Sequence, residues 1–222
     1  MRPLLFLLLI AVSGAAAAQA TMPEGTLAAI QRDFPTDHAK LAATLAGRPP
    51  EEARRLAYAG IDAFLRGHRD QIAAAPGATL VALEARQGAM LRALQQRDLQ
   101  VCADVGDRGF FSPEALAAAP PPGLDEYGVA LVEAAKEGSA AAASPLTRED
   151  LTAWLAAAEK IEPAVPIREM LLDRDLRLAS GPEKMCRGAA AMHEAVAVLP
   201  PGVRERVAGM LLRSVIGSSV GS

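Results

Sequence analysis

Asparagine is absent from this chain, and several other residue types are scarce. Without Asn there is no N-x-S/T glycosylation acceptor. Lysine occurs only at Lys40, Lys136, Lys160 and Lys184, so the basic side chains are mostly arginine. Aromatic residues make up 4% of the chain, which leaves few large rings for a core. Val, Ile, Thr, Tyr and Phe are sparse, and strand-like alternation is nearly missing, which argues against a sheet. The excess of Ala, Arg, Gly and Pro reads as GC-rich bacterial coding bias.

Long apolar runs are also lacking, with one exception. Leu4 to Val12 is unbroken and follows Arg2; Ser13 and Gly14 interrupt it, and Ala18-Gln19-Ala20 follows. A short positive region, an apolar stretch and small residues are the parts of a secretory signal. The run is shorter than the roughly 20 residues that span a bilayer. The expected order is therefore a signal peptide over 1–20, cleavage after Ala20, and a periplasmic or secreted mature chain with no membrane span. Cleavage would leave 202 residues (222 − 20), enough for one domain or two small ones. It would also remove Arg2, leaving 22 basic against 26 acidic side chains and a net charge of −4. So mild a charge predicts no nucleic-acid partner.

What remains is helical in spacing. The expected fold is all-α: an Ala-rich bundle of about seven to nine helices punctuated by Pro and Gly. One helix is predicted from Thr26 to Phe34, and a second ends near Ala46 at the Gly47 stop. Glu51 and Glu52 sit where the dipole favours acids, at the start of a long helix reaching Ala75. Its apolar face would be Ala57, Ile61, Phe64, Leu65, His68 and Ile72. After Pro76-Gly77 a second long helix carries Leu80, Leu83, Met90, Leu94 and Val101, and the two are expected to form a hairpin. Residues 103–109 read as a loop, and Ser112-Pro113-Glu114 as the start of a short helix. The N-terminal part, 21–118, is followed by a Pro-rich linker at 119–123. The C-terminal part, 124–216, is expected to pack on the first, with 217–222 as a flexible tail. Within it, Thr147 to Asp150 and Ser180 to Glu183 resemble capping boxes, and Ile167 to Leu178 reads as one helix.

Cys102 and Cys186 are the only cysteines, and both would be exported. That predicts a disulfide. It would close a loop of 84 residues (186 − 102), worth roughly 4 kcal/mol in the chain-entropy model. A redox role fits less well, because C-x-x-C spacing is missing.

Catalytic and metal motifs fail on inspection. His193-Glu194 begins like H-E-x-x-H, but Ala197 stands where the second ligand belongs. Gly217 to Gly221 spells G-x-S-x-G with no histidine or acid after it. His68 reads as a core residue and His38 as a solvated one. Asp173 and Asp175 among Arg168, Arg174 and Arg177 read as a solvated charged face. No cofactor or metal is predicted. The most distinctive stretch is Asp104 to Phe111, where Asp104, Asp107, Arg108, Phe110 and Phe111 are candidate binding residues. Arginine with aromatics is the composition of an interface hot spot. The competing reading is a turn whose two Phe rings plug the core. No motif carries a family resemblance. The reading is an exported, non-catalytic helical module for a protein partner: a scaffold, an adaptor or a chaperone-like domain. The alternatives are a periplasmic hydrolase-type enzyme using the loop carboxylates, and a small-molecule-binding bundle.

Overall fold

Pro35 and Pro50 open helices at positions where the missing N–H has no intrahelical role. In the computed structural model, which describes residues 22–111, 120–138 and 145–217, the chain is all-α. The helices are α1 (Glu24–Asp33), α2 (Pro35–Leu45), α3 (Pro50–Gly67), α4 (Arg69–Ile72), α5 (Gly77–Arg97) and α6 (Leu99–Arg108). They continue with α7 (Leu124–Glu137), α8 (Arg148–Ile161), α9 (Ile167–Leu172), α10 (Arg174–Ala179), α11 (Gly181–Ala195) and α12 (Pro201–Gly217). A 3₁₀ turn, Val196–Val198, follows α11. Among the described residues, nine of the twelve α-helices have seven residues or more and no strand forms. None of these helices is long and apolar enough to cross a membrane. The proposed leader, the Ser112 cap, most of the 138–144 stretch and the tail after Gly217 lie outside the described residues.

Several helices break where periodicity alone would continue them. The helix expected to reach Ala75 stops at Gly67; at the break the His68 ring lies tilted against Phe34 and Phe64, with centroids 4.7 and 4.4 Å away. The next one stops at Arg97. Asp98 adopts extended backbone, and its carboxylate accepts from the N–H groups of Gln100 and Val101, which starts α6. The stretch expected as a loop is therefore helical through Arg108; Gly109, at φ +89°, ends it. Asp173 likewise splits the helix expected over 167–178 by capping Leu176. The box expected at Ser180 does not form, since its hydroxyl donates to the Leu176 carbonyl instead. The box at Thr147 does form, with Asp150 and Thr147 bonded reciprocally at 3.1 and 3.0 Å. Arg206 of α12 adds two 2.8 Å bonds to the same carboxylate, fixing the start of α8 against α12.

Helix α5 is the centre of the packing. It lies against α11, α12, α6 and α7, while α3 packs on α2 and α12. The long α3–α5 hairpin expected from their short connection is thus replaced by pairings between distant segments. Leu83, Leu91 and Leu94 of α5, Leu131 and Val132 of α7 and Leu212 of α12 belong to one apolar core, which continues on both sides of the Pro120–Gly123 stretch. Fully buried alanines such as Ala190, Ala191 and Ala208 let the axes come close. At Gly106 the approach is closest to α11: a Cβ there would lie 2.6 Å from the Ala189 Cβ.

Candidate functional site

The α6–α11 contact is held by a covalent bond. Cys102 and Cys186 form a disulfide with Cα atoms 5.2 Å apart, and both residues are fully buried. One turn beyond Cys102, Gly106 and Asp107 face the α11 residues Met185, Gly188 and Met192 across a cavity of about 240 Å³. Small residues on both helices keep the floor low, and methionines supply flexible, polarisable walls. Met170 and Leu171 of α9 close one side, and Val215 of α12 closes the other.

One charged pair sits at this cavity. Arg177 of α10 reaches Asp107 at 3.5 Å, with each side chain about one-third exposed (31% and 33%). Arg177 Nε is buried without a hydrogen-bond partner. A buried donor left unpaired typically costs about 1–3 kcal/mol. Close to it in the chain Leu171 is 41% exposed, Leu172 85%, Leu176 38% and Leu178 55%, with the exposed charges Asp173, Arg174 and Asp175 between them. These four leucines lie within eight residues on two short helices.

The residues singled out in the 104–111 stretch divide between two places. Asp107 lines the cavity just described. Asp104, half-buried on α6, accepts a 3.1 Å hydrogen bond from the Gln100 side chain. Arg108, Phe110 and Phe111 border a recess of about 20 Å³ on another side of the helix end. Both Phe rings are buried and pack on Tyr127, with centroids 5.7 and 6.4 Å away. They plug the core and offer no flat apolar surface. Asp104 and Asp107 do not meet in one cleft.

Behind that plug lies a polar cluster. Glu84 of α5 is 1% exposed, and its Oε2 lies 2.6 Å from His193 Nδ1 of α11. Burial pushes the Glu84 carboxyl above its ordinary value, and the facing His193 opposes that shift. Gln87, one turn along, donates to the Tyr127 hydroxyl. Burial raises the Tyr127 hydroxyl well above its ordinary value, reinforced by the charge of Glu84. Arg92 and Arg187 outside this cluster join Glu162 and Glu194 in a network tying α5 and α11 to the α8 end. Among the described residues, no group of three or more His, Cys, Asp or Glu side chains could hold a metal ion.

The sequence reading missed Met170, Met185 and Met192 as cavity walls and Arg177 as its charged group. A signal existed. In Met170 to Leu178 five apolar residues alternate with charges too densely for one helical face to bury them all. No protein-family model, curated protein or solved structure matches this chain.

Proposed function

We propose that this chain is an exported, non-catalytic helical module that docks a protein partner on the leucine-bearing face of α9 and α10. The observation that carries this reading is the cluster of Leu171, Leu172, Leu176 and Leu178, exposed together beside a methionine-lined cavity. Several large apolar side chains exposed on one short stretch are what a partner covers, and methionine surfaces adapt to more than one shape. The cavity by itself would also suit a small-molecule binder. Leu172, almost fully exposed, favours the protein reading, because a ligand inside the cavity would leave it in water. The disulfide is the kind of cross-link that persists in an oxidising compartment, which supports export.

Replacement of Leu172 by a photo-crosslinking amino acid tests the reading, with the same probe at exposed Glu51 on α3 as control. Discrete adducts with another polypeptide at position 172 and none at position 51 are expected. Equal labelling at both positions, or none at either, would overturn it.

A further inference from the structure

We infer that the Glu84–His193 pair is a pH-sensitive latch between α5 and α11, shut while the two side chains hold a proton in common and slack once it leaves. The latch lies in the interior and is independent of what docks on α9 and α10.

The contact itself is the first observation. Glu84 Oε2 and His193 Nδ1 lie 2.6 Å apart, on side chains 1% and 6% exposed. With an N–H on each ring nitrogen and an ionised carboxylate, or with one proton moved onto the carboxyl, the pair is neutral as a whole. Loss of that proton leaves a neutral imidazole beside a carboxylate, and the core then holds one uncompensated negative charge. A buried charge without a partner of opposite sign is strongly destabilising.

The immediate surroundings offer that charge no relief. Glu84 Oε1 is buried and has no hydrogen-bond partner. Gln87, one turn along, spends an amide N–H on the Tyr127 hydroxyl, and its own Oε1 is also buried and unpartnered. Gly88 of α5 sets the two helices close at this level: a Cβ there would lie 3.1 Å from Glu194 Cγ and 3.6 Å from His193 Cβ.

Of the charged groups around α5, His193 is the one that stabilises the Glu84 carboxylate. On α11, Glu194 is held by Arg92 at 2.7 Å. On α7, Asp125 bonds Thr26 of α1, and Tyr127 is the titratable group facing Glu84. On α6, Asp104 accepts from Gln100 and Asp107 pairs with Arg177, while Arg108 borders the recess at Tyr127. On α12, Arg206 and Arg213 pair with Asp150 and Asp70. Arg204 and Glu205 belong to its first turns, where Glu205 packs on Gly77 at the start of α5. The Val196–Val198 turn carries no titratable group.

Burial pushes the Glu84 carboxyl above its ordinary value, so the folded chain keeps the proton to higher pH than the unfolded one. A raised carboxyl contributes stability that is present below its unfolded value and lost as pH rises through its folded one. Asp33 and Asp150 behave in the reverse sense, since their contribution is lost in acid. Helix α11 also carries Cys186 and the cavity walls Met185, Gly188 and Met192. Slack between α5 and α11 therefore exposes the disulfide and the cavity together.

Reduction of the Cys102–Cys186 bond by a water-soluble phosphine reads the joint in the full-length, oxidised protein. Glu84→Gln keeps the shape, offers a carbonyl to the His193 Nδ1–H and has no proton to lose. The ratio of wild-type to variant rates cancels the reagent's own response to pH. That ratio should rise at least about fivefold between about pH 6 and about pH 9. Glu84→Leu with His193→Leu, a second reference without either titrating group, should give the same rise, and decides the matter if Glu84→Gln fails to fold. Asp33→Asn should follow the wild type. A ratio that stays flat against either folded reference would overturn the latch. So would a rise that Asp33→Asn abolishes, since the loosening would then not come from the α5–α11 pair.

Discussion

The α5–α11 interior and the α9–α10 exterior break the inside–outside rule in opposite directions. Inside, Glu84 and His193 place ionisable groups where apolar side chains belong, and they face each other at 2.6 Å. Outside, Leu171, Leu172, Leu176 and Leu178 place apolar groups in water, and no part of the described chain covers them. Glu84 Oε2 meets His193 within the fold, although Glu84 Oε1 and Gln87 Oε1 have no partner there; the exposed leucines meet nothing. A mismatch resolved internally belongs to stability. One left open at the surface, beside a cavity, points to something outside the chain.

Perturbing each side in turn tests that contrast, and the interior should respond most. His193→Ala strands the Glu84 carboxyl in the core and should destabilise the protein by about 3–5 kcal/mol, measured by urea unfolding. Replacing both partners by leucine should recover most of that loss, because no charge is then left unpaired. If His193→Ala proves silent, Glu84 is already satisfied by other means and the pairing argument fails.

Breaking the Cys102–Cys186 bond comes next. Reduction, or Cys102→Ala with Cys186→Ala, should lower stability by roughly 2–4 kcal/mol. Because α6 and α11 form the cavity floor, it should also weaken any apolar probe at the groove. Thermal unfolding with and without reductant reads the first effect, and dye binding below the transition reads the second.

Acid should act on a smaller scale, through ion-paired carboxylates that bridge elements. Arg32, and then Lys136, hold the Asp33 carboxyl down at about 2, from an ordinary value of 3.8. Arg206 holds Asp150 down in the same direction. A carboxyl depressed in the folded state contributes stability that is present above its unfolded value and lost as pH falls through its folded one. The urea midpoint should therefore drop as pH falls from about 4 toward 2. Asp33→Asn should flatten that decline; an unchanged slope would show that Asp33 plays no part in it.

The smallest effect on folding should come from the exterior. Leu172→Ser should change unfolding free energy by less than about 0.5 kcal/mol, as an exposed substitution does, while reducing binding of an apolar dye at the groove. A large loss of stability instead would mean that Leu172 packs within the fold, and the contrast between the two regions would collapse.

Much of the architecture was legible before any coordinate. The cap formed by Thr147 and Asp150 and the stop at Gly47 act through neighbours within a few residues. The breaks at His68, Asp98 and Asp173 were not read. At His68 the break coincides with contact against Phe34, thirty-four residues away. At Asp98 and Asp173 a capping aspartate interrupts an otherwise continuous apolar pattern, a local signal that periodicity outweighed. The candidate site was legible only at Asp107. Phe110 and Phe111 carried the composition of a binding surface, yet Tyr127 of α7 receives both rings in the core.

Helical class and the cysteine pairing followed from local chemistry: spacing, capping, φ preferences, and an oxidisable pair with a single intramolecular connectivity. Which apolar residues are covered, which charges meet and where a cavity opens depended on segments brought together from far along the chain. Burial is a property of the assembled helices and not of any one of them. Leu172 reads like any other leucine until α9 is placed beside α11, where it remains in water next to the space that Met170, Met185 and Met192 leave open.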